Sequence, residues 1–143
     1  MLADAILAEW GPGRRSRFVV LTGGEPLLQV DAELLAALRE RSFFVAVETN
    51  GTIDPPDKVD WLTVSPKGRA PLAPRVVPSE LKLVYPQLDA TPEEHDMPGI
   101  RHKFLQPLDN ADRSANTSAA IAYCLAHPQW RLSLQTHKWT GIR

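Results

Sequence analysis

Short apolar runs alternate with segments of helical periodicity along this chain. Residues 17–22 (RFVVLT) and 43–48 (FFVAVE) are rich in β-branched and aromatic side chains, which predicts two buried strands. Between them, residues 31–41 place leucines at helical spacing behind an aspartate, which predicts a helix with an aspartate N-cap. Near-continuous apolar strands separated by helices predict a parallel sheet.

The remaining elements are predicted by the same patterns. Residues 2–10 predict a short amphipathic helix that carries Leu2, Ile6, Leu7 and Trp10 on one face and ends before a Gly-Pro-Gly sequence. No repeat, low-complexity segment or linker interrupts the chain, so we expect a single domain over residues 1–143. We predict further strands over 61–64, 81–85, 103–106 and 132–134, and a helix over 114–126.

Polar motifs follow four of the predicted strands. They are TGGEP at 22–26, ETNG at 48–51, SPK at 65–67 and QPLD at 106–109. Because the carboxyl ends of parallel strands meet at one edge, we predict a parallel β/α sheet curved into an open barrel, with these motifs gathered at its mouth.

The first two motifs have both an ordinary and a functional interpretation. Gly23 and Gly24 suit a tight strand-to-helix turn, and they also let backbone approach a ligand closely. Glu25 beside exposed carbonyls favours an ammonium group over a phosphate, so the loop does not resemble a P-loop. Glu48 ends an apolar strand and would point into the barrel mouth, unless it is simply paired with a nearby Arg or Lys.

The later motifs give weaker evidence of a binding site when each is considered alone. Lys67 is as consistent with a solvated loop as with a binding cation. The amide and carboxylate of Gln106 and Asp109 could hold a ribose or an adenine edge, or form a turn that caps the helix near Ser114. His137 follows the last strand and is either a surface residue or part of a tail that lies across the sheet mouth.

Composition narrows the class of protein. With 16 basic and 17 acidic residues among 143, the net charge is −1, which disfavours general binding to nucleic acid. No apolar run approaches the roughly 20 residues needed to span a bilayer. The single cysteine, Cys124, lies in a predicted helix as a structural thiol and excludes a site built from several thiolates of this chain. We expect a cytoplasmic, reducing setting with no membrane partner.

Taken in order, the motifs resemble those of radical S-adenosylmethionine enzymes, and more closely those of the 7-carboxy-7-deazaguanine synthase family. The resemblance rests on TGGEPL, ETNG, SPK, ELKLVYP, FLQPLD and LSLQTHK, and it runs from Met1 to the C-terminus. It implies a partial (β/α) barrel of the radical S-adenosylmethionine type and a homodimer. It also implies a carbon–nitrogen lyase of queuosine and 7-deazapurine biosynthesis, in which a radical ring contraction converts 6-carboxy-5,6,7,8-tetrahydropterin to 7-carboxy-7-deazaguanine with loss of ammonia. The cofactors so implied are S-adenosylmethionine, a 4Fe-4S cluster and Mg²⁺.

The resemblance also implies roles for individual residues. The cofactor S-adenosylmethionine would be held by Gly23, Gly24, Glu25, Ser65, Pro66, Lys67, Gln106, Pro107, Leu108 and Asp109. The pterin substrate would be held by Thr22, Glu48, His137 and Arg143.

One part of the family pattern has no counterpart in this sequence. Radical S-adenosylmethionine enzymes hold the cluster through three cysteines in a loop after the first barrel strand, and this family binds Mg²⁺ through a threonine that follows the third cysteine. We therefore expect the C-terminal two-thirds of the family fold, lacking the first strand and the cluster loop, with no catalytic or metal-ligating residue of its own and no turnover by itself. The alternatives are a non-catalytic module that binds S-adenosylmethionine or pterin, and another radical enzyme, such as one that activates a protein glycine.

Overall fold

The computed structural model describes residues 1–13 and 15–142, which form two compact units. The first unit comprises residues 1–64 and 71–78, and the second comprises residues 65–70 and 79 onward. That the whole chain is a single domain stays a prediction.

The first unit is a three-stranded parallel sheet with two α-helices. Strand β2 pairs with β1 on one side and with β3 on the other, and both pairings are parallel. Helix α2 begins where the sequence predicted, because the Asp31 carboxylate accepts a hydrogen bond from the Leu34 amide at 2.8 Å. The elements are α1 (Leu2–Trp10), β1 (Phe18–Leu21), a single 3₁₀ turn (Pro26–Leu28), α2 (Ala32–Glu40), β2 (Phe44–Thr49) and β3 (Trp61–Val64).

Helix α1 packs through most of the predicted face, since Ile6 and Leu7 are half-buried, but Ala3 takes the buried place predicted for Leu2. Ala3 is its only buried residue among those described, whereas Leu2 is 59% exposed. Trp10 meets the ring of Phe43 edge-on at 5.9 Å between centroids. The reason is that α1 packs on the neighbouring helix α2, and the small Ala3 side chain allows the two helices to approach closely.

The second unit is also a parallel sheet, and its core lies between the sheet and helix α3. Strand β5 lies between β4 and β6. Leu83 and Leu105 pack against Ala120 and Trp130 in this core. The elements are β4 (Glu80–Tyr85), β5 (His102–Pro107), α3 (Arg113–Ala126), β6 (Arg131–Leu132) and α4 (Thr136–Thr140).

These strands and helices confirm the predicted α/β class with parallel strands. Among the described residues, every strand and every α-helix of nine residues or more was predicted, and the 3₁₀ turn and the five-residue α4 were missed. Among the residues described, none of the helices has the length and apolar character needed to cross a bilayer. In each unit, polar motifs follow the carboxyl ends of strands of a parallel sheet.

Candidate functional site

An open glycine loop follows β1. Thr22, Gly23 and Gly24 are exposed, and a Cβ added to either glycine would meet no atom within 4 Å. The φ of Gly23 is +135°, a conformation that other residues rarely adopt. Gly24 does not have a positive φ, so its backbone conformation is open to other residues. Neither backbone strain nor packing within the described residues therefore explains why this position is a glycine. The space beside Gly24 is open among the described residues.

Glu25 fixes this loop to the end of strand β2. One carboxylate oxygen accepts hydrogen bonds from the Thr49 hydroxyl at 2.7 Å and the Leu27 amide at 3.1 Å. The other accepts the Asn50 amide at 2.9 Å. The sequence suggested that this carboxylate meets an ammonium group directly, but in the structure it is engaged within the protein and holds the exposed glycine backbone in position.

The end of β2 combines a half-buried acid with a tight turn. Glu48 lies opposite Thr63 of β3 in the parallel register. Asn50 forms the expected turn, since its side-chain oxygen accepts the Thr52 amide at 2.8 Å. Gly51 is required here: its φ is +81°, and a Cβ would lie 2.6 Å from Cδ2 of Leu72. The turn therefore places Glu48 and the Glu25-bound end of β2 in one fixed arrangement.

The Ser65–Lys67 loop is held from the neighbouring segment by Gln87. Its side-chain oxygen accepts the Gly68 amide at 2.9 Å, and its amide nitrogen donates to the Pro66 carbonyl at 3.4 Å. Ser65 is half-buried, Pro66 is buried and Lys67 is exposed. The loop thus presents a cation to solvent on a clamped backbone.

The QPLD motif is held from two sides. The Leu108 amide donates to the Tyr85 carbonyl at 2.8 Å, and the buried Asn116 donates to the Leu108 carbonyl at 2.9 Å. Gln106 is half-buried within β5, Pro107 is buried, and Leu108 and Asp109 are exposed. The expected cap on helix α3 is absent among the described residues, because the N-cap position is Asp112 and its side chain makes no capping bond.

Asp109 joins the QPLD motif to helix α4. Its carboxylate accepts a hydrogen bond from Lys138, and Arg113 Nη1 lies 3.8 Å from the other oxygen. The Lys138 hydrogen bond and charge lower the pKa of Asp109 below its ordinary value. Arg113 also stacks over Trp139 at 4.9 Å from the ring centroid. These contacts bring His137, which is exposed on α4, into the same unit as the QPLD motif.

Three positioning residues were not predicted from the sequence: Gln87, Asn116 and Lys138. Only Asn116 carried a signal, because it is a polar residue four positions before the buried Ala120 on the inward face of α3. Arg143 lies outside the described residues. Cys124 is half-buried with a pKa raised by burial, which fits a structural thiol.

The polar groups of these loops suit S-adenosylmethionine, whereas the chain does not supply the ligands of a 4Fe-4S cluster. The loop after β1 in the first unit offers exposed backbone, and the loops of the second unit offer a lysine, an amide and a carboxylate. Groups of these kinds can pair with the ammonium, carboxylate and nucleoside groups of S-adenosylmethionine. The chain's single cysteine does not fit a 4Fe-4S cluster. Among the described residues, no three His, Cys, Asp or Glu side chains are grouped so that they could hold a metal ion.

Comparison with known proteins identifies close relatives. The chain is 58% identical over 143 residues to the 7-carboxy-7-deazaguanine synthase of Bordetella pertussis, 54% identical to that of Caulobacter vibrioides and 56% identical to that of Bradyrhizobium diazoefficiens. Each match covers 99% of this chain and 67% of the relative, so the chain spans about two-thirds of their length. No protein-family profile matches the chain.

A solved structure agrees with these relatives. The crystal structure of QueE from Escherichia coli superposes with a TM-score of 0.72 at 28% identity, over 92% of this chain and 61% of that one. This likeness confirms the predicted partial barrel. The chain therefore belongs to the 7-carboxy-7-deazaguanine synthases, the radical S-adenosylmethionine lyases of queuosine biosynthesis that use a 4Fe-4S cluster and Mg²⁺.

Proposed function

We propose that this chain holds the S-adenosylmethionine and the pterin of a 7-carboxy-7-deazaguanine synthase, while the cluster ligands come from outside it. The observation that carries the proposal is the open Gly23–Gly24 loop, fixed in place by three hydrogen bonds to the Glu25 carboxylate. A loop anchored next to open space is a partly preorganised binding surface, which lowers the entropic cost of ordering it on binding.

The loops divide the cofactor between them. Gly23 and Gly24 present backbone carbonyls that can accept from the cofactor's ammonium group, and Glu25 keeps them in position. Its ribose and adenine are assigned to the Ser65–Lys67 and Gln106–Asp109 motifs, whose exposed polar atoms suit hydroxyl and ring-nitrogen partners. In the family, S-adenosylmethionine would supply the radical chemistry beside the cluster, and the residues named here would bind and orient it.

The pterin is assigned to Thr22, Glu48, His137 and Arg143. A carboxylate is the natural partner of an aminopyrimidinone, because two parallel N–H donors match its two oxygens. Glu48 is half-buried, and a hydrogen bond strengthens as water is excluded from it. His137 and Arg143 are assigned to the pterin because the family resemblance implies it, and exclusion of water is what a radical reaction requires of such a site.

The proposal also covers the cellular location, the oligomeric state and the activity of the chain by itself. A low cysteine content and an enzyme relative support a cytoplasmic location. The homodimer is proposed because the family resemblance implies it. By itself the chain binds both small molecules without turning them over, because it cannot supply three thiolates to a cluster.

Calorimetric titration of the full chain tests this function. S-adenosylmethionine should bind equally well to the wild type and to Gly13→Ala. Gly13→Ala is a matched control, because the Gly13 backbone does not have a positive φ and the added Cβ would lie 3.6 Å from Trp10 Nε1, an ordinary van der Waals distance. Gly24→Ala should bind at least about tenfold more weakly, a loss of about 1.4 kcal/mol, because the added methyl occupies the open space beside the loop. Equal binding by Gly24→Ala, or no binding by the wild type, contradicts the proposal.

A further inference from the structure

Helix α4 is short and lies on the surface of the second unit. It comprises the five residues Thr136–Thr140, and none of them is buried. A helix of this length is not stable by itself in water, so its position depends on contacts with the rest of the unit. The polar and ring contacts described for it join Lys138 to Asp109 and Trp139 to Arg113. The QPLD motif and the start of α3 therefore hold α4 in its docked position.

The two oxygens of the Asp109 carboxylate have different partners. Oδ2 accepts the hydrogen bond from Lys138, whereas Oδ1 lies 3.8 Å from Arg113 Nη1, which is too long for a hydrogen bond. Oδ1 can therefore accept from a ribose hydroxyl or an adenine amino group while Oδ2 stays bonded to Lys138. The Asp109 side chain is 34% exposed, so a ligand can reach it. One carboxylate can thus hold a nucleoside and α4 at the same time.

His137 brings the second ligand to the same helix. It precedes Lys138 on α4, is exposed, and is the residue of this helix that the proposed function assigns to the pterin. A pterin that contacts His137 favours the docked position of α4. A nucleoside that donates to Asp109 favours the same position, because Lys138 restrains the carboxylate to which the nucleoside bonds. Two ligands that favour one conformation of a protein strengthen each other's binding.

We propose that S-adenosylmethionine and the pterin bind this chain cooperatively, coupled through α4 by the ion pair of Asp109 and Lys138. The inference rests on the proposed function and adds an energetic link between its two ligands. The link is reciprocal, because each ligand must change the affinity of the other by the same factor. An ion pair this exposed contributes little, so we expect a factor of about two to five.

Anaerobic calorimetry of the full chain measures this coupling. The pterin, 6-carboxy-5,6,7,8-tetrahydropterin, is titrated into the chain alone and into the chain saturated with S-adenosylmethionine. The ratio of the two dissociation constants is the coupling factor. We expect the pterin to bind about two- to fivefold more tightly when S-adenosylmethionine is present, and the reverse titration to give the same factor. Equal pterin affinity in the two titrations overturns the inference and leaves the proposed function standing.

Variants of Lys138 test the path of the coupling. In Lys138→Met the factor should fall to about one, whatever the affinity of each ligand alone, because the carboxylate no longer bonds to α4. Lys138→Arg should keep the factor above one, since a guanidinium group also pairs with a carboxylate. Arg101→Met is the matched control. Arg101 is an exposed cation of the second unit outside the QPLD motif and α4, so its loss should leave the factor unchanged.

The remaining outcomes separate this inference from the proposed function. A factor that persists in Lys138→Met means that the two ligands interact by another route, which overturns the inference. Complete loss of the factor in Lys138→Arg also contradicts it, because a positive charge at this position would then not carry the coupling. Lys138 is exposed, so both of its variants should keep the wild-type circular dichroism spectrum. No binding of S-adenosylmethionine to the wild type refutes the proposed function, and this inference with it.

Discussion

The Thr49 hydroxyl donates a hydrogen bond to the Glu25 carboxylate at 2.7 Å and so joins the loop after β1 to the last residue of β2. Thr49 is itself buried, and its oxygen also accepts the Gly51 amide at 3.0 Å. A single carboxylate thus ties together the glycine loop, the end of the second strand and the turn that follows. The geometry of the proposed cofactor loop depends on Glu25 rather than on the glycines alone.

Glu25→Gln should destabilise the first unit. A side-chain amide cannot accept all three of these hydrogen bonds, because its NH₂ group would face a backbone or hydroxyl donor. We expect a loss of about 1–3 kcal/mol in the free energy of unfolding, measured by urea denaturation. Glu9→Gln on the exposed side of α1 is the control and should unfold like the wild type. A stable Glu25→Gln protein would mean that the carboxylate does not fix the loop.

Gly51→Ala and Gly24→Ala should separate stability from binding. At Gly51 a Cβ would lie 2.6 Å from Leu72 and 2.8 Å from Val64, on a backbone with φ of +81°. This change should cost about 1–3 kcal/mol of stability, because packed neighbours must shift. Gly24→Ala should unfold at the wild-type urea concentration. The reverse order of stabilities would contradict the assignment of Gly51 to structure and Gly24 to ligand binding.

Lys138→Met should raise the pKa of Asp109 toward its ordinary value of 3.8. The lysine's hydrogen bond and charge lower that pKa in the folded state, so their stabilisation is present above the ordinary value and is lost as pH falls through the lowered one. Carbon-detected NMR titration of the Asp109 carboxyl measures this directly. Lys67→Met, on an exposed loop residue, should leave the Asp109 titration unchanged. No change in Lys138→Met would show that α4 is not held by this ion pair.

Tyr123 should remain protonated well above its ordinary pKa of 10.0. Burial raises the pKa, and so does its hydrogen bond to Glu93, whose own pKa is lowered by the same bond. Because the folded state keeps the proton more tightly, stability should fall as the pH rises above the ordinary value. Tyr123→Phe should abolish that slope in alkaline urea titrations. An ordinary phenolate transition for Tyr123 in the folded protein would contradict the buried contact.

The strands and long helices were predictable because each is specified locally. Alternation and apolar runs specify β2 and β3, and Asp31 specifies the start of α2. Helix α4 was not predictable, because its five residues (THKWT) have no apolar stripe and four of them, all but Lys138, have low helix propensity. It is held by tertiary contacts, from Lys138 to Asp109 and from Trp139 to Arg113.

For the candidate site, the sequence indicated which loops to consider but not which way their side chains point. Residue types at strand ends singled out the loops to which the proposal assigns the ligands, because the carboxyl ends of parallel strands are where such sites form. That these loops bind the ligands stays a prediction. The direction of each side chain was not predictable: the Glu25 carboxylate looked available to a ligand and instead bonds to Thr49 and Asn50. These contacts join residues about 25 positions apart, so they cannot be predicted from local sequence patterns.

Assigned amide NMR of the full chain during titration with S-adenosylmethionine tests the central claim most directly. The account predicts that the perturbed non-proline amides are those of residues 23–25, 65–67 and 106–109, and that Gly24→Ala abolishes the changes while Gly13→Ala preserves them. Absence of any perturbation, or perturbation confined to other residues, would contradict the claim that this chain forms the S-adenosylmethionine site.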